Sequence, residues 1–280
     1  MIHICYSRLI SDLLSESWQF SDASQFTLLA MLENLDPQSF FNLPKAPPRS
    51  GRFENVELNE SGTRAVLNIN GPLYKKVDPV LASFFGIGDL ASVNRDIDEL
   101  TADRNIRHVT LNIDSPGGLA GASTETASRI EEMASRKDRT VAYTDGVLGS
   151  AAYKLAVPAD EIYASSDARV GSVGTYLALV DDSKKWEKEG RKLELLTDGG
   201  FMKAAGHPGT SLSAEQREFL QQGVAQDSEK FKNFVRENRP NISDSALQGQ
   251  TLSGKRAVTS GLIDGHHRDL ASLLAAEITR

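Results

Sequence analysis

Three short stretches carry residue types that could perform covalent chemistry. Residues 146–156 read GVLGSAAYKLA, with Ser150 between a glycine and a small apolar run that meets no proline until Pro158. The run before it, residues 139–144 (RTVAYT), is rich in strand formers, and the run after it can start a helix. A serine at that junction has its hydroxyl beside backbone N–H groups that lack helical partners, a setting that favours negative charge on a bound carbonyl oxygen. It also suits an ordinary N-cap, and the stretch alone leaves both roles open. Residues 114–118 (DSPGG) follow an expected strand at 107–113 and precede a helix from about Ala122. Glycines there allow backbone N–H groups to approach a ligand, or simply make a βα turn. No Gly-Lys-Ser/Thr follows, so the stretch is not a nucleotide-binding P-loop. The third stretch, residues 199–206 (GGFMKAAG), sets Lys203 among Phe201, Met202, Ala204 and Ala205, with Asp198 the nearest carboxylate in sequence.

A nucleophilic serine needs a base. The histidines are His3, His108, His207, His266 and His267, and none lies between Ser150 and Lys203. His207, beside Pro208, is the one attractive candidate among them, and it fits a surface loop equally well. Lysine is the other option. At its ordinary pKa of about 10.4 a lysine is protonated at neutral pH and cannot accept a proton. Apolar surroundings without a counter-charge bring it toward neutrality. Lys203 has such neighbours in sequence, as does Lys154, whereas the other lysines sit among polar or charged residues. A snorkelling surface lysine is the alternative for Lys203.

The elements that must position these residues alternate in type. Strands are expected at 64–70, 107–113, 140–144, 161–164 and 192–197, and helices at 90–100, 122–135, after Ser150, at 181–189 and at 213–238. The last opens on a Ser-x-x-Gln capping box, Ser213 to Gln216. Two or three short helices finish the chain. The alternation predicts an α/β domain with largely parallel pairing. No internal sequence repeat is visible. Residues 42–52 hold three prolines and a glycine and read as a linker, so 1–52 form an N-terminal extension and linker and 53–280 the main domain. Within the extension, Leu9 to Leu14 and Phe26 to Leu32 have helical spacing.

The 280 residues suffice for one large or two small domains. A net charge of -7 lacks the basic footprint of a nucleic-acid binder. The single cysteine, Cys5, excludes an intrachain disulfide. Neither a bilayer-spanning run nor a signal-peptide pattern is present, so a cytoplasmic protein without a membrane anchor is expected.

Taken in order, DSPGG after a strand, GxxGSAAY, GSVG, a lysine shortly before Pro208, and SGKRAVTSGLID resemble the signal peptide peptidase A family of Ser-Lys serine proteases, over about residues 62 to 270. The resemblance implies a ClpP/crotonase-like spiral of ββα units and a serine endopeptidase. It makes Ser150 the nucleophile, Lys203 the base, Ser172 the serine that orients the lysine, and the N–H groups of Gly118 and Ala151 the oxyanion hole. It implies no cofactor and no metal. The family's lysine is usually followed by aspartate, where this chain has Ala204. The extension resembles that of bacteriophage members, which trim scaffold and capsid proteins during head maturation. A cellular signal-peptide-degrading enzyme, a non-catalytic assembly protein and a crotonase-type acyl-CoA enzyme are the alternatives. Short forms of the family assemble homo-oligomeric rings in which one subunit lends its lysine to its neighbour's serine.

Overall fold

A computed structural model describes residues 18–20, 51–198 and 200–278. The strands, in chain order, are β1 (Trp18–Phe20), β2 (Val56–Leu58), β3 (Arg64–Asn70), β4 (Leu73–Tyr74), β5 (Gly88–Asp89), β6 (His108–Asp114), β7 (Gly117–Leu119), β8 (Arg139–Thr144), β9 (Val147–Gly149), β10 (Glu161–Ala164), β11 (Arg169–Gly171), β12 (Thr251–Ser253) and β13 (Gly265–His266). The helices are α1 (Pro79–Phe85), α2 (Leu90–Ala102), α3 (Ala120–Arg136), α4 (Ala151–Ala156), α5 (Ser183–Lys188), α6 (Ala214–Asn238), α7 (Gly254–Thr259) and α8 (Leu270–Ile278).

One sheet of six strands runs β13-β10-β8-β6-β3-β2, parallel throughout except where β2 meets β3. Burial follows from position. β3 alternates, hiding Ala65, Leu67 and Ile69, whereas β8 is buried nearly throughout because both its faces are covered. Ala142 joins the main core, while Val141 and Tyr143 pack with Tyr163 and Leu273. Arg139 ties α8 down through Glu277, Nε to Oε2 at 2.7 Å, and also pairs with Glu161.

A unit of long strand, short strand and helix recurs: β6–β7–α3 and β8–β9–α4 are complete examples. β3–β4 opens a first one and β10–β11 begins a last. The long strands join the large sheet, and the short ones enter two small sheets, β1-β7-β4-β5 and β12-β11-β9. This is the ClpP/crotonase-like spiral. The repeat is structural and leaves no trace of repeated residues, which is why the sequence shows none. The second strands, two or three residues long, are too short for a period of two to register; where they fall the sequence reads as plain turns.

Most long elements lie within two residues of their expected places, and the capping box of α6 is formed, with Ser213 Oγ accepting from Gln216 N–H at 3.1 Å. Residues 192–197 are a correction. They form no strand, no neighbouring strand pairs with them, and Leu196 is 89% exposed. The helical spacings at Leu9 to Leu14 and Phe26 to Leu32, and Cys5, lie outside the described residues.

Candidate active site

Ser150 stands between β9 and α4, where Gly149 pairs with Gly171 of the parallel strand β11. Its N–H donates to Gly171 O at 2.7 Å, which fixes the turn. The backbone there has φ 53° and ψ -115°, outside the extended conformation of a capping residue, and the side chain caps no helical N–H. The capping role is thereby removed. A non-glycine residue in this conformation is strained by about 1–3 kcal/mol, a burden found mostly where function requires it. The residue is fully buried, and its hydroxyl's hydrogen-bond partner is Gly174 O, at a long 3.4 Å. Ser172 repeats the geometry one strand further on. It follows Gly171, has φ 54°, is buried, and donates its N–H to Gln250 O at 2.7 Å. These are the two described non-glycine residues with positive φ.

Gly118 is central in β7, opposite Leu73 of β4. A Cβ there would stand 2.0 Å from Leu73 O, so only glycine allows the strands this close. Ala151 is the first residue of α4, whose leading N–H groups have no acceptor within the helix. α4 packs on β7, which brings the helix start and the glycine strand together. The residue that joins the two turns is Ser115, whose role the sequence did not reveal. Its Oγ donates to Gly71 O at 2.7 Å and accepts from Gly117 N–H at 3.1 Å. Its backbone N–H donates to Val147 O, and its carbonyl accepts from Gly149 N–H. A serine two residues before a glycine turn is a recognised turn-forming signal, which could have marked it. Asp114 adds a link, accepting from Val147 N–H at 2.8 Å.

Lys203 lies elsewhere. It is exposed, on the short 3₁₀ turn Phe201–Ala204, and no hydrogen bond joins it to Ser150 in the single chain. Its segment belongs to an arm comprising residues 175–212 and the first half of α6. There Asp182 accepts from Gly209 N–H at 2.6 Å, and Leu179 packs on Gly206. The arm exposes Val180, Leu196 and Phe219. α6 buries only Phe231 and Val235, both near its far end.

The histidines do not fill the gap. His207 is exposed, its Nδ1 2.8 Å from Pro208 O. His108 heads β6, about 20 Å of extended strand from Asp114, and burial lowers its pKa. His267 packs edge-on against Tyr163, and His3 lies outside the described residues. The buried lysine is Lys154, one helical turn after Ser150. Burial holds it down to about 8, and its Nζ donates to Thr124 Oγ1 at 2.6 Å beside the rings of Phe231 and Phe234. Tyr153 and Leu155, its apolar sequence neighbours, were the signal for this burial.

A buried, strained serine at a helix start, facing a glycine strand across a packed turn, thus sits at the centre of a ClpP/crotonase-like fold. The family model described as Peptidase family S49 matches residues 132–276, a span that includes Ser150, Ser172 and Lys203. The chain belongs to that family. A Methanocaldococcus jannaschii protein named as a protease is 32% identical over 171 residues, 60% of this chain and 54% of that protein. The chloroplastic serine protease SPPA of Arabidopsis thaliana is 26% identical over 217 residues, 76% of this chain and 30% of that one. The chain thus spans about half, or less, of the length of the curated relatives it matches. Among solved structures, a mutant of the 1510-N membrane-bound stomatin-specific protease with a substrate peptide is similar at 15% identity and TM-score 0.42, covering 75% of this chain and 77% of that one. An enoyl-CoA hydratase from Shewanella pealeana is similar at 9% identity and TM-score 0.47, covering 81% and 74%. No described helix is long and apolar enough to cross a membrane.

Proposed function

We propose that this protein is a serine endopeptidase with a Ser150–Lys203 dyad, completed when subunits associate. The observation that carries this reading is the strained, buried, non-capping Ser150 in a chain of a peptidase family. Ser150 Oγ attacks the scissile carbonyl and gives its proton to a neutral lysine amine. Gly118 and Ala151 N–H groups hold the tetrahedral oxyanion, each donor of this kind contributing about 10²–10³ in rate. The lysine returns the proton to the leaving amine, and water then releases the acyl group from Ser150. Ser172 orients the amine.

The exposure of Lys203 supports a base supplied between subunits. A lysine on a solvated arm must lose its water to act, and docking on a neighbour removes it. The apolar residues exposed on the same arm favour such docking, and a head-to-tail ring is the symmetry that lending of this kind produces. As to setting, an Enterococcus faecium relative carrying the signal peptide peptidase SppA name, 28% identical over 188 residues, favours a cellular peptide-degrading role over the phage head-maturation role.

Mixing tests the dyad. Ser150→Ala and Lys203→Ala proteins, each inactive alone, regain partial activity when unfolded and refolded together, because some interfaces then pair an intact serine with an intact lysine. Mixed oligomers that cleave nothing would refute the shared site, and a folded Ser150→Ala protein that still cleaves would refute the peptidase.

A further inference from the structure

β7 is flanked by β4 on one side and by β1 on the other, and β1 is a segment from far up the chain. The pairing is antiparallel, with Trp18 opposite Leu119, Gln19 opposite Gly118 and Phe20 opposite Gly117. Without these three residues β7 would be an open edge, its unpaired backbone groups available to a further strand. A peptide that offers its scissile carbonyl to Gly118 N–H must run alongside β7, because strand addition is how an extended peptide meets a sheet edge.

From this juxtaposition we infer that residues 18–20 occupy the edge on which substrate peptides dock, making the N-terminal segment a built-in competitor that substrates must displace. The inference rests on the peptidase reading of Ser150 and Gly118 and adds to it how access is regulated. A three-residue strand at a sheet edge is weakly held by itself, since isolated strand pairs are marginal in water. Its attachment compensates. In sequence it is joined to the domain through residues 21–50, and linking a segment to its site makes its binding intramolecular. An occupant of this kind is strong enough to exclude poor substrates and weak enough to yield to good ones. It competes for binding and leaves chemistry untouched, so its signature is in KM. If the edge is covered about nine-tenths of the time, apparent KM is raised about tenfold.

The test uses the full chain. Successive N–H groups of a strand point to opposite edges, so Gln19→Pro/Phe20→Pro removes a donor facing β7 whichever of the two residues supplies it. Gln19→Thr/Phe20→Tyr keeps both donors and serves as the control. Two measurements are made: hydrogen exchange of the β7 amides, which needs no catalysis, and hydrolysis of fluorescently labelled casein as an unfolded substrate. The expected result is exchange of whichever of the Gly118 and Leu119 amides faces β1 at least tenfold faster in the proline variant, with KM severalfold lower, kcat unchanged, and the control like the parent. Equal exchange in all three proteins overturns the inference. Faster exchange with unchanged KM overturns it too, since β7 would then be uncovered without gain to substrate. Failure of the peptidase reading looks different: no protein hydrolyses casein, and the role given to β1 falls with it.

Discussion

Replacing Lys154 by methionine should reverse the sign of a stability difference between pH 7 and pH 10. The residue is 7% exposed, and burial lowers the pKa of its amine from 10.5 to about 8. That displacement corresponds to about 3 kcal/mol of penalty against the folded state wherever the amine is charged in both states, that is, below about pH 8. Methionine removes the penalty. It also removes the hydrogen bond to Thr124, about 1 kcal/mol, and the contacts of a cation with Phe231 and Phe234, about 1 kcal/mol more. Thr124 keeps its own bond to Ala120 O, so no hydroxyl is orphaned. The variant should therefore be about 1 kcal/mol more stable at pH 7, raising Tm by about 2–4 °C. Between about pH 8 and 10.5 the unfolded parent holds a proton that the folded parent has released, so the parent's stability rises with pH. By pH 10 it recovers about 2–3 kcal/mol, and the parent becomes the more stable protein. Thermal unfolding of both proteins at several pH values reads this directly. A variant less stable at pH 7, or a difference that stays flat between pH 8 and 10, would refute the reasoning. The same variant should hydrolyse peptides normally, and a folded but inactive Lys154→Met protein would make Lys154 the base.

Ser150→Gly should abolish hydrolysis yet raise stability by about 1 kcal/mol, because glycine adopts φ 53° without the strain that serine bears there; denaturant titration of the purified variant checks it. Gly118→Ala should lose activity and at least about 2 kcal/mol of stability, as its methyl would meet the Leu73 backbone at 2.0 Å. Gly223→Ala, in the middle of α6 with nothing within 4 Å, should instead gain about 1 kcal/mol, seen as a higher unfolding midpoint.

The strands and helices of the main domain were legible because their apolar periods are long enough to count. The alternation in β3 and the capping box of α6 are examples, and the second has its hydrogen bonds at the expected residues. The short second strands were not legible, since Gly117–Leu119 and Val147–Gly149 offer three residues each and take their partners from distant segments. At the site, sequence placed Ser150 correctly at the head of a helix but left an ordinary cap open; the φ angle and the absent capping bond remove the cap. It drew attention to Lys203 by its neighbours in sequence. Those neighbours do not bury it: Met202, Ala204 and Ala205 are only half-buried themselves, and Lys203 between them is exposed. Lys154, with equally apolar neighbours, is buried because α4 packs on α3 and its amine lies between Thr124 of α3 and the rings of Phe231 and Phe234 of α6.

Under the proposed mechanism, the pairing of β9 with β11 has a consequence for proton transfer. Ser150 and Ser172 each follow the paired glycines 149 and 171, so adjacent parallel strands, about 4.8 Å apart, set their separation. In the mechanism we propose, an amine bonded to Ser172 would be set beside Ser150 by this pairing, whatever segment or subunit delivered it. Two neighbouring strands act as a ruler, and the base need not be threaded into place by its own stretch of chain. A base carried on a long outlying arm is compatible with this arrangement, because the accuracy resides in the receiving strands.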